Sequence, residues 1–216
     1  MQLAHRQLKS IQGLRFYKLL GTGAGNGFSW YPDYSTYGLM TVWDSKSMAD
    51  AFMQEAAIYD EYVARSEEQL VFRLKPLEAH GTWSKQNPFE TSEADPTRPV
   101  AVLTRATINL KSVLSFWKTV HNVSKEVKAA PGQLFSKGIG EWPLIQQATF
   151  SAWENMQTMK NYAYRSRFHS DVISKTRKNG WFKEEMFARF QIEDVEGSWF
   201  GDNPLQNYLA SRPTTS

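Results

Sequence analysis

The chain contains no cysteine. That excludes disulfides, iron–sulfur clusters, thiolate zinc sites, a catalytic thiol and thiolate-ligated haem. It fits a cytoplasmic setting, where disulfides are rare. Long apolar runs are missing too, and no stretch approaches the ~18 residues that mark a membrane-spanning helix. The start of the chain, Met1 to Gln7, is amphipathic and lacks the apolar centre of a secretion signal. Charge of one sign is scarce. The formal net charge is +3, and the one short basic group, Lys175 to Lys178, reads as a solvated helix face, so no nucleic-acid partner is expected. Thr22 to Gly27 is rich in glycine but has neither the G-x-G-x-x-G spacing of a dinucleotide fold nor the Gly-Lys-Ser/Thr of a P-loop. It reads as a hairpin turn.

What is present is aromatic. Phe, Trp and Tyr make up 14% of the 216 residues, with eight Trp, inside an otherwise ordinary globular composition of 41% hydrophobic and 22% charged residues. Such a content lines either an aromatic core or an apolar pocket.

Periodicity predicts a helix over residues 1–11, with Leu3, Leu8 and Ile11 inward, then strands over 13–21 and 37–43. Helices follow over 45–55, capped by Asp44 or Ser45, and over 58–65; a strand over 68–77 leads to Gly81 and Trp83. Residues 84–99 are polar and carry Pro88, Pro96 and Pro99, the composition of a linker. A second block begins at Val100: strand 100–108, helix 112–128, strands 132–140 and 145–153, helical stretches over 156–164 and from Arg165 to Lys178, and a strand over 186–192.

The two blocks repeat each other. Gly13, Phe16, Lys18 and Gly21 recur as Gly132, Phe135, Lys137 and Gly140; Thr41, Trp43 and Asp44 recur as Ser151, Trp153 and Glu154. Glu68, Arg73, Gly81 and Trp83 recur as Glu184, Arg189, Gly197 and Trp199. Matches in the same order over several segments signal an internal duplication. Each block reads as a β-α-β-β-α-β, ferredoxin-like unit. The expectation is an α+β fold of two such repeats, residues 1–84 and 99–200, joined by the linker 85–98 and followed by a polar tail at 201–216, with the open sheet faces paired into one barrel. The first repeat lacks a partner for the strand 100–108; that strand would lie ahead of Met1, or this half makes do with three.

Among four histidines, His169 lies on an apolar helical face with Phe168, Val172 and Ile173. An imidazole so placed is either a hydrogen-bonded packing residue or a ligand to a metal or haem iron. His121, between Val120 and Val123, is the competing ligand; His5 and His80 are less suited. Arg105 and Arg189 lie within strands, where a buried charge needs a partner. They would pair a haem propionate or polarise bound oxygen, or else form internal ion pairs with Glu184 or Glu141. Trp117, Trp153 and Trp181 line a pocket or pack the core.

Several segments resemble the spheroidene monooxygenase family, the haem-containing carotenoid oxygenases of bacterial pigment pathways. They are Phe16 to Gly23, Val102 to Ile108, Phe116-Trp117, Lys137 to Glu141 with Pro143 behind, Phe150-Ser-Ala-Trp153, and His169 through Phe190 closing on Glu196-Gly-Ser-Trp199. The resemblance covers most of residues 10–200. It implies a dimeric-α+β-barrel type of fold, an additional N-terminal strand ahead of this sequence, and a b-type haem with His169 as iron ligand. Arg189 and Trp153 would then stand beside the cofactor and Arg105 would act in catalysis. The implied partners are O2, an apolar carotenoid-like polyene and a ferredoxin-like electron donor. A peripheral membrane contact and a homo-oligomer are both compatible with it. A non-catalytic barrel holding haem or another apolar ligand is the alternative.

Overall fold

A computed structural model describes residues 2–24, 31–95, 97–117, 130–165 and 180–210. The fold is α+β. In the first half come α1 (Gln2–Lys9), β1 (Leu14–Gly23), β2 (Pro32–Trp43), α2 (Lys46–Glu55), α3 (Ala57–Arg65) and β3 (Leu70–Gly81). In the second half come β4 (Val100–Ile108), a 3-10 turn at Leu110–Ser112 leading into helical residues 113–117, β5 (Gln133–Trp142), β6 (Gln146–Trp153), α4 (Met156–Arg165), β7 (Phe182–Gly197) and α5 (Pro204–Ala210).

All the strands join one seven-stranded antiparallel sheet in the order β2-β1-β5-β6-β4-β7-β3. The halves meet twice. Gly21 and Thr22 of β1 face Gly140 and Ile139 of β5, and β3 runs the length of β7 from Leu70↔Gly197 to Gly81↔Met186. The sheet must curl. Phe72 on the outermost strand β3 sits 5.0 Å from Phe150 of β6 and 5.3 Å from Phe135 of β5, ring centre to ring centre. From the other end, Phe16 of β1 reaches Trp83, just past β3, at 5.6 Å. A flat sheet would hold these strands several ~4.8 Å spacings apart. The concave face encloses the main core, including Leu20, Leu103, Ala148, Met186, Ala188 and Phe190. The convex face carries the helices: α1 to α3 over β1 and β2 through Leu8, Phe52 and Ile58, and α4 over Val100 and Trp153 through Met159. Among the described residues the first half contributes three strands and the second four, and β2 and β3 are the sheet's edges.

Residues that recur between the two halves of the sequence occupy similar settings. Gly81 (φ +86°) and Gly197 (φ +80°) end β3 and β7. A methyl group at either would stand 2.1 Å from a carbonyl oxygen of the other strand's start, Glu185 or Gln69 respectively. Only glycine tolerates both the left-handed backbone and the approach. In the turns that follow, Trp83 N–H donates to the Gln86 carbonyl and Trp199 N–H to the Asp202 carbonyl, each at 2.7 Å. Glu184 accepts from the Thr82 hydroxyl and Lys85 N–H beside the first turn; Glu68 accepts from the Ser198 hydroxyl and the N–H groups of Phe200 and Gly201 beside the second. Asp44 N–H donates to the Gly13 carbonyl and Glu154 N–H to the Gly132 carbonyl, both at 2.9 Å.

Of the two cap candidates, Ser45 caps α2, its hydroxyl accepting from Met48 N–H. Two findings differ from the sequence-based expectations. The segment expected to be a linker packs on the sheet: Pro88 and Phe89 are buried, Phe89 lies 5.0 Å from Phe190, and Ser92 N–H donates to the Pro76 carbonyl on edge strand β3. Proline-rich composition reported an irregular backbone but not its burial. The stretch expected to be a polar tail includes α5, capped by Asn203, whose side-chain oxygen accepts from Leu205 and Gln206 N–H; Leu205 enters the main core. A helix this short, with one deeply buried residue, leaves little periodic signal.

Candidate functional site

Strand alternation sorts the candidate residues onto two faces. Arg105 of β4 stands opposite Ala148 of β6 and Met186 of β7, on the same concave face as Leu103. Its side chain is 2% exposed. One terminal nitrogen donates to Glu184 Oε2 and the other to Glu141 Oε1, so it makes the internal ion pairs named as the alternative to a catalytic role. Glu141 also accepts from Lys18 Nζ and Trp83 Nε1, both at 2.6 Å. Arg105 and Lys18 lie over the Trp83 ring at 5.7 and 5.8 Å. Two cations thus face two carboxylates around one indole, a neutral cluster that limits the cost of burying charge. Burial pushes the Glu184 carboxyl up, but the Lys85 N–H, the Arg105 guanidinium and the Thr82 hydroxyl outweigh it and hold it below the usual carboxylate range. Lys137, which recurs with Lys18 in the sequence, pairs with Asp33 at 3.2 Å and lies 5.3 Å from the centre of the Trp199 ring. The Ser35 hydroxyl, opposed by burial and helped by Ser35 N–H and Lys137, holds the Asp33 carboxyl well below its ordinary value. Asp33 escaped the sequence reading because it lies on a polar strand, with no apolar alternation to mark which face it takes.

Trp153 and Arg189 occupy the convex face. Val100 stands opposite Trp153 and Val102 stands opposite Arg189, two steps along the same side of β4. Trp153 Nε1 donates to Ser151 Oγ at 2.9 Å and the ring packs 5.0 Å from Tyr162 of α4. Its counterpart Trp43 donates to Thr41 Oγ1 at 2.9 Å and packs 5.1 Å from Phe52 of α2. Arg189 pairs with Glu78 Oε2 at 2.7 Å, rather than with Glu184 or Glu141, while its buried Nε has no partner among the described residues. Its counterpart Arg73 is engaged by both Asp50 and Glu196. The sheet therefore separates Arg105 from Trp153 and Arg189.

His169 and His121 lie outside the described residues. Of the others, His5 bonds the Tyr17 hydroxyl at 3.1 Å and the exposed His80 bonds Glu78 at 2.9 Å. Among the described residues no group of three or more His, Cys, Asp or Glu is placed to hold a metal ion, and no helix is long and apolar enough to cross a membrane.

No family model matches the chain. Individual relatives do. Spheroidene monooxygenase of Rhodobacter capsulatus is 36% identical over 217 aligned positions, covering 99% of this chain and 90% of that protein. The chain belongs to the spheroidene monooxygenase family. Members of this family are enzymes, and this chain is one of them. A second member, from Cereibacter sphaeroides, is 34% identical over 93% of this chain, which spans 62% of that longer protein. Among solved structures, an aldoxime dehydratase superposes with a TM-score of 0.58 over 95% of this chain and 81% of that one, at 8% identity. At that identity the likeness concerns the fold alone.

Proposed function

We propose that this chain is a haem-dependent monooxygenase that inserts oxygen from O2 into an apolar, carotenoid-like polyene, using electrons from a ferredoxin-like donor. The observation that carries the reading is the 36% identity to spheroidene monooxygenase across 99% of the chain. In this reading the halves are two ferredoxin-like repeats in a dimeric-α+β-barrel arrangement, and only the second holds the prosthetic group. One feature of the described residues fits a haem. Arg189 keeps a buried Nε–H without a partner where its duplicate Arg73 is engaged by two carboxylates. A buried unpaired donor costs about 1–3 kcal/mol, a cost that Arg105 Nε on the other face carries as well. A propionate would satisfy the Arg189 donor. Trp153 would stand near it, and His169 would hold the iron through an imidazole nitrogen. Haem, when bound, supplies the oxygen-activating chemistry. The chain's own residues bind it, orient it and keep water from the polyene. Arg105, on the other face and held by Glu184 and Glu141, acts on that pocket only through the sheet.

Protein expressed with added haem precursor should show a Soret band. With reduced ferredoxin, O2 and a polyene such as spheroidene it should give a product heavier by oxygen. His169→Ala should shift or abolish the band and remove turnover while leaving the fold intact; His121→Ala should leave the band in place. Colourless protein sinks the haem assignment. A Soret band without turnover selects the non-catalytic binding barrel.

A further inference from the structure

We propose that the end of the molecule formed by Leu110, Leu114 and Trp142 is a docking surface for an anionic lipid bilayer. Leu110, Lys111, Trp142 and Lys183 line one open groove of about 890 Å3 on the second half. Leu110 is 76% exposed, Trp142 64%, and Leu114, one helical turn beyond Leu110, 72%. Large apolar side chains on a water-facing surface mark a contact site when they cluster. Here they cluster with two lysines, and among the described residues the groove lining holds no aspartate or glutamate. Of the acids close by in the chain, Glu141 is engaged by Lys18, Arg105 and Trp83, and Glu184 by Arg105. Exposed Glu185 follows Lys183 on the same face of β7 but does not line the groove. Indole and leucine beside lysine is the composition that seats at the headgroup boundary: the ring and the alkyl chains enter the acyl region and the ammonium groups meet lipid phosphates.

The surface is held rigidly. Leu144 adopts a left-handed backbone (φ +67°) in the β5–β6 turn, and its carbonyl accepts from Trp117 Nε1 at 3.0 Å. Its side chain packs against the cluster of Ile108, Phe116 and Trp117. The turn is therefore anchored on one side, while Trp142 beside it is largely exposed. Asn109 N–H donates to the Trp181 carbonyl at 2.7 Å and Asn109 Nδ2 to the Gly180 carbonyl at 2.5 Å, which fixes the segment that carries Leu110 and Lys111. The apolar groups are thus presented by an ordered framework, so little ordering entropy opposes insertion.

A bilayer contact deepens the function proposed above, because an apolar polyene is dissolved in membrane. The docking itself needs neither haem nor substrate. Purified protein is therefore tested by co-sedimentation with carotenoid-free vesicles of phosphatidylcholine alone and with phosphatidylglycerol added. The mixed vesicles should bind it and the neutral ones should bind it far more weakly, with added salt weakening the attachment. Lys111→Gln/Lys183→Gln should lower affinity for the anionic vesicles about twenty-five-fold, at about five-fold per lysine. Leu110→Ser/Leu114→Ser/Trp142→Ser should reduce binding to either vesicle by at least about ten-fold. If that triple variant fails to fold, the lysine pair still decides. No binding to anionic vesicles at low ionic strength overturns the inference, as does equal binding by wild type and both variants. A change in solution mass caused by the triple variant also overturns it, because the patch would then join two copies of the chain. Loss of docking in a protein that still oxygenates detergent-dispersed polyene leaves the proposed function standing; docking by a protein that binds no haem does the reverse.

Discussion

Glu184 answers to three donors drawn from distant parts of the chain: the Thr82 hydroxyl, Lys85 N–H and the Arg105 guanidinium. They stabilise its ionised form, so its folded-state carboxyl titrates below the free value of 4.5. A depressed carboxyl contributes stability that is fully present above the unfolded pKa and is lost as pH falls through the folded one. The melting temperature of the wild type should therefore decline as pH drops below about 4.5, and Glu184→Gln should flatten part of that acid limb. The same variant keeps an acceptor but removes a carboxylate charge opposite the buried Arg105, leaving Glu141 at 3.5 Å as its one ion-pair partner among the described residues, so at neutral pH it should cost up to about 3 kcal/mol. Urea unfolding at pH 7 and melting curves between pH 3 and pH 7 check both effects. A wild-type acid limb unchanged by the substitution would remove Glu184 from the titration.

At the scale of elements, the ends of β3 and β7 are set by one repeated device, a left-handed glycine pressed against the opposite strand and followed by a tight turn bearing a tryptophan. Gly81→Ala must relieve both the backbone strain and a 2.1 Å approach to the Glu185 carbonyl oxygen. It should cost more than the roughly 1–3 kcal/mol of a left-handed non-glycine residue alone. Gly180→Ala shares the positive φ of +58° but meets nothing within 4 Å, so it should carry only the backbone part. Denaturant midpoints of the two variants compare them directly, and equal losses would show that the close approach relaxes without cost.

Across the whole molecule the concave core belongs to both halves. Phe72 comes from the first and packs tilted against Phe135 and edge-on against Phe150 of the second. Phe72→Ala should lower stability by about 3 kcal/mol, near the lower bound for a large aromatic because the ring is only partly buried. For a chain of this size that is a fall of about 6–12 °C in Tm. The halves should still melt in one transition, since neither closes the core alone. Circular dichroism and near-ultraviolet melts of the variant test this, and two separated transitions would contradict it.

The sequence by itself determined the α+β character, most of the described strands and helices, and the family. Those features are written locally: alternation marks strands, glycine and tryptophan recur at the same turns, and Arg105 announced a need for Glu184 or Glu141 because a charge inside a strand must be paired. Only the tertiary structure decided which strands of the two halves pair, β1 with β5 and β3 with β7. It alone placed Arg105 on the opposite face of the sheet from Trp153 and Arg189, assigned Arg189 to Glu78, and tucked Phe89 and Leu205 into the core. The physical reason is that a strand carries no mark of its neighbour. A single alternation is compatible with either face of the sheet until the aromatic side chains of both halves close round one core, and that closure fixes register and face together.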